Sequence, residues 1–72
     1  MAKLPALRPR EVIRALGSAG FYIVRQSGSH VQLKKGNLLV TVPDHPRDLP
    51  PGTLRSILRQ ARLTPEEFIE LL

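Results

Sequence analysis

Between His30 and Lys34 polar and apolar side chains alternate strictly. That period of two predicts a strand with Val31 and Leu33 turned toward a core and His30, Gln32 and Lys34 on the opposite face. A strand-like run lies on either side. Phe21-Tyr22-Ile23-Val24 is aromatic and β-branched, and it continues into Arg25-Gln26 before Ser27-Gly28-Ser29 breaks it. Leu38-Leu39-Val40-Thr41-Val42 follows a Lys35-Gly36-Asn37 turn and is stopped by Pro43. Three strands joined by short turns predict an antiparallel meander.

The flanks follow a helical period. Val12, Ile13, Leu16 and Ala19 share one apolar face, and Pro9 suits a first turn because its missing N–H has no partner there to lose. Glu11 favours the positive end of that helix, Gly17 weakens its last turns, and Gly20 with Phe21 behind it forms a glycine stop. Residues 43–52 hold four prolines and form a stiffened crossing loop. Leu54, Ile57, Leu58 and Ala61 then recur at i, i+3, i+4 and i+7, with Thr53 as the expected N-cap and Arg55, Ser56, Arg59 and Gln60 outside. Thr64-Pro65-Glu66-Glu67 opens a short last helix that turns Phe68 and Leu71 inward. The expected class is α+β, in the order α-β-β-β-α-α, a three-stranded antiparallel sheet with helices packed on one face and the other face free. Residues 1–72 read as one domain with a short N-terminal extension over 1–8.

Charge narrows the partners. The chain carries +5, and its last segment gathers Glu66, Glu67 and Glu70. Residues 1–63 therefore hold eleven basic against three acidic side chains, a local +8. Such an excess fits a polyanion such as nucleic acid, while solubility alone would also account for it. The absence of cysteine excludes disulfides, thiolate zinc sites and a thiol nucleophile. Two histidines with few carboxylates suggest no metal site, and nothing in the sequence implies a cofactor. No window approaches the roughly 20 apolar residues of a membrane span, and the start of the chain lacks the apolar run of a signal peptide, so a cytoplasmic protein is expected.

His30 is the candidate for chemistry, because a Gly28-Ser29 turn delivers its imidazole to the first residue of a strand. Histidines beside glycine turns are also commonly hydrogen-bonded surface residues. The surroundings tilt the balance: Gly28 and Ser29 let a phosphate approach main-chain N–H groups, and Arg25, Lys34 and Lys35 add positive charge. Metal-free RNA cleavage needs a base for the ribose 2′-hydroxyl, cations or N–H donors for the phosphoryl oxygens, and an acid for the leaving 5′-oxygen. Imidazole suits the first role; His45, in the crossing loop, or a lysine is the candidate for the last, and His45 is otherwise simply a turn residue. Arg55, Arg59 and Arg62, like Arg10 and Arg14, either track a phosphate backbone or form solvated helix faces. Tyr22 could stack on a base while Phe21 and Phe68 read as core, so aromatic platforms are poorly supported and reading of shape and phosphate is expected instead.

Two blocks extend this reading. Gly20-Phe21 with Arg25-Gln26-Ser27-Gly28-Ser29-His30, and Val40-Thr41-Val42-Pro43 with Leu49 and Gly52-Thr53-Leu54-Arg55-Ser56-Ile57-Leu58-Arg59-Gln60-Ala61, resemble the HicA (YcfA-like) family of toxin mRNA interferases in order and spacing. The resemblance implies a double-stranded-RNA-binding-domain-like fold, endoribonuclease activity on mRNA that arrests translation, and neutralisation by a HicB-like antitoxin. It places the family's catalytic histidine on His30 and its glycine and serine on Gly28 and Ser29. Where relatives carry glycine after the second long helix this chain has Arg62, which implies a helix that runs on or ends without a left-handed glycine cap.

Overall fold

The computed structural model describes residues 3–72, so Met1 and Ala2 of the N-terminal extension lie outside the described residues. Six elements follow one another: α1 (Pro9–Ser18), β1 (Tyr22–Ser27), β2 (His30–Lys35), β3 (Leu38–Pro43), α2 (Pro51–Ala61) and α3 (Pro65–Ile69). The strands pair in sequence order as one antiparallel sheet, β1-β2-β3. The expected α+β architecture is therefore the one observed.

Both hairpins close through two-residue turns, with Ser27 opposite His30 and Lys35 opposite Leu38. Gly28 and Gly36 each take φ +57° at the first turn position, while Ser29 and Asn37 stay at negative φ. This is the type II′ pattern, whose twist matches that of the strands and whose first position favours glycine. Pairing across β2 and β3 puts Val31, Leu33, Val40 and Val42 on one face, where all four are buried. Against them pack Val12, Ala15 and Leu16 of α1, Leu54, Ile57, Leu58 and Ala61 of α2, and Phe68 of α3.

The helices sit toward β3 rather than β1. Gln60 of α2 accepts a hydrogen bond from the Thr41 N–H at 3.1 Å, covering part of the β3 edge. β1 lies at the other edge, exposed at every position, with a bulge at Val24 between the pairs Ile23–Leu33 and Arg25–Gln32. Before α1, Leu7 is buried and its carbonyl accepts from the Leu49 N–H at 2.8 Å, which ties the start of the chain to the crossing loop.

One expectation is corrected. α2 starts at Pro51, with Pro50 as its N-cap, so Thr53 lies inside the first turn. Proline is preset for the first helical position, and the extended Pro50 is the conformation that a following proline favours. At the other end of α2 no glycine is available, and Arg62 itself takes φ 57° and ψ 39° and ends the helix in a left-handed cap despite its side chain. The Leu63 N–H closes back on the Leu58 carbonyl at 3.0 Å, just as the Phe21 N–H closes on Leu16 after α1. At α1 the positive φ falls on Gly20, which adopts it freely, whereas at α2 an arginine bears the strain. Arg62→Gly is expected to raise stability by about 1 kcal/mol, or the melting temperature by about 4–8 °C. Thermal unfolding followed by circular dichroism checks this, and an unchanged or lower midpoint would exclude stored strain at the cap.

After that cap, Thr64 opens α3. Its hydroxyl accepts from the Glu67 N–H at 3.1 Å, and the Glu67 carboxylate accepts from the Thr64 N–H at 2.9 Å. The Thr64 main-chain N–H, with its hydroxyl second, holds the Glu67 carboxyl below its ordinary pKa. This reciprocal cap lets five residues form a helix that sets Phe68 wholly inside the core.

Candidate functional site

The face of the sheet away from the helices carries His30, Gln32 and Lys34 of β2, with Ser27, Arg25 and Tyr22 opposite them on β1 and Pro43, Thr41 and Leu39 opposite on β3. His30 is exposed, and its imidazole makes no hydrogen bond or ion pair with another described residue. Its place is nevertheless fixed. It follows the Gly28-Ser29 turn and is paired on both sides, with Ser27 and with Pro43. The ladder runs one step further, because the Asp44 N–H donates to the Ser29 carbonyl. A ring on the central strand thus stands in solvent on a rigid base.

Among the expected phosphate-binding residues, Arg25 comes nearest in register. It sits on β1 diagonal to His30, a separation of about 7–8 Å between neighbouring strands. The N–H groups of Gly28 and Ser29, next to His30 in the chain, donate to no other described residue. Lys34 shares the face of His30 but lies four residues along β2, about 13 Å away.

Lys35 is placed away from His30. The alternation turns it to the helix side, where its ammonium donates to the Ala19 carbonyl at 2.6 Å and lies 5.8 Å from the centre of the Phe21 ring. It joins the end of α1 to the sheet and is removed from the imidazole. Arg55 and Arg59 are exposed one turn apart on α2, in the helix layer, so the fold does not bring them to the His30 face.

His45 follows the β3 end that pairs with His30, and its Nδ1 accepts from the Arg47 N–H at 3.3 Å. That bond fixes the ring and leaves Nε2 as its other polar atom. His45 also lines a hollow of about 390 Å³ with Arg8, Arg10 and Asp44 at the start of α1. The sequence offered Arg10 and Arg14 as a possible phosphate-tracking face, but not their convergence on the loop after β3. Their i, i+4 spacing was the visible signal; the crossing loop that meets them has no periodicity to read.

No group of three or more histidine, aspartate or glutamate side chains among the described residues is placed to hold a metal ion. No helix among them is long and apolar enough to cross a membrane. A family model described as the HicA toxin of bacterial toxin-antitoxin systems matches residues 9–63, from the start of α1 to just beyond the Arg62 cap. No curated protein matches the chain.

Proposed function

The chain belongs to the HicA toxin family of bacterial toxin-antitoxin systems, and from that premise we propose that it is a metal-independent endoribonuclease that cleaves mRNA and so arrests translation. Family membership carries the toxin role and implies an antitoxin partner. The observation that supports the chemistry is His30, a free imidazole held at the head of the central strand beside unpartnered N–H groups and Arg25.

In this reading the His30 imidazole removes the proton of a ribose 2′-hydroxyl. The oxygen attacks the adjacent phosphorus, and the bond to the 5′-oxygen breaks. Arg25 and the Gly28 and Ser29 N–H groups take up the charge that grows on the non-bridging oxygens. Lys34, further along the same face, meets a neighbouring phosphate, and His45 is the candidate acid for the leaving 5′-oxygen. Arg55 and Arg59, in the helix layer, serve RNA contacts more distant from the cleaved bond. A HicB-like antitoxin and a cytoplasmic site of action belong to the same proposal.

Incubation with a long messenger RNA in EDTA tests it. The expected products are short fragments ending in a 2′,3′-cyclic phosphate and beginning with a 5′-hydroxyl. RNA left intact, or cut with a 3′-hydroxyl, would reject this chemistry. RNA that is bound but not cut would instead favour a binding module built on the same fold.

A further inference from the structure

β1 is the least supported strand of the sheet, and its composition does not suit that position. Ile23 is 52% and Val24 47% exposed on a strand whose outer edge pairs with nothing among the described residues. Edge strands are normally shielded by charge, proline or a covering element, because their free N–H and C=O groups invite another strand. Here α1 stops short of β1 and leaves a groove of about 280 Å³ between them. Ile13, Ile23 and Val31 supply its apolar surface, and Arg10 and Arg14 stand along its α1 wall. Neither arginine has an ion-pair partner among the described residues. Asp44 closes one end of the groove, but its carboxylate pairs with neither of them.

We propose that this groove and the free edge of β1 form a docking surface for an extended, acidic segment of a partner protein. Its main chain adds a fourth strand beside β1. Its alternate aliphatic side chains enter the groove, and its carboxylates meet Arg10 and Arg14. RNA is the weaker occupant: the floor is aliphatic, no aromatic ring lines it for base stacking, and the groove lies on the helix side of the sheet while His30 faces the other way. The inference rests on the reading of this chain as a toxin held by a protein antitoxin. It adds where, and by what chemistry, such a partner takes hold.

The test uses the whole chain and a fluorescein-labelled synthetic peptide, Glu-Val-Glu-Ile-Asp-Val, with Lys-Val-Lys-Ile-Lys-Val as the reversed-charge control. Amide spectra should shift along β1 and the groove with the acidic peptide. Arg10→Glu with Arg14→Glu should weaken it at least tenfold, and Ile23→Asp should do so while circular dichroism stays native. Equal binding of the two peptides, shifts confined to the His30 face, or no saturable binding would overturn the proposal. So would a uridine oligonucleotide that displaces the peptide from the groove, and so would concentration-dependent self-association that buries it. Cleavage measured on the same samples separates the two readings: Ile23→Asp should still cut RNA, and an inactive native chain that binds the peptide would fail the nuclease reading alone.

Discussion

His30→Ala should lower RNA cleavage by about 10²–10⁴-fold, the range that one positioned proton-transfer group supplies. The structure makes this a clean measurement. The imidazole is exposed and bonded to no described residue, so its removal leaves no buried group unsatisfied and opens no cavity. Substitutions at such positions usually change stability by no more than about 0.5 kcal/mol. Unfolding midpoints of the two proteins should therefore coincide while their turnover differs. Binding of uncut RNA should persist, because the charge that attracts phosphates resides in Arg25, Lys34 and the arginines of the helices. Equal cleavage by both proteins would remove His30 from the mechanism. A joint loss of cleavage and fold would show that the ring is structural, in conflict with its exposure.

The largest expected effect on stability lies at the other end of the chain. Phe68→Ala should destabilise the protein by about 3–5 kcal/mol, the cost of deleting a fully buried aromatic ring and leaving a cavity. Folded domains hold roughly 0.05–0.15 kcal/mol per residue, so a chain of 72 residues has on the order of 4–11 kcal/mol in all. One ring can thus account for a large part of the margin. Phe68 sits on a five-residue helix beyond residues 9–63, the span the family model covers. The expectation is therefore that this chain depends on a segment outside the shared domain, anchored by the Thr64–Glu67 cap. Urea unfolding checks it: a midpoint lowered by about 1 M or more at constant slope supports the role, and a change worth under about 1 kcal/mol would make α3 an appendage.

Much of this molecule is readable from local pattern. The alternation from His30 to Lys34 gave the central strand and the exposed face of the histidine, and the stripe Leu54, Ile57, Leu58 and Ala61 gave the buried side of α2. Both succeed because side-chain direction follows directly from backbone period. The same reasoning fell short where the backbone departed from the commonest choice. Helix α2 began at Pro51 rather than after Thr53, and Arg62 took a left-handed conformation that glycine usually occupies. In both cases the closing hydrogen bonds and the packing of Leu63 and Leu54 outweighed a local preference of about one kcal/mol.

The candidate site divides along the same line. His30, Gly28 and Ser29 are neighbours in sequence, so a turn and a strand are enough to place them together, and the sequence alone determined that group. Which cations join it was decided by the tertiary structure. Arg25 arrives through strand register, Lys35 is drawn off to the Ala19 carbonyl, and Arg55 and Arg59 are carried away into the helix layer. The bare β1 edge and the groove beside it also exist only because α1 and α2 pack toward β3. Period and turn chemistry act over a few residues, whereas the choice of which edge the helices cover is made by the fit of whole apolar surfaces, and no short stretch of sequence contains that information.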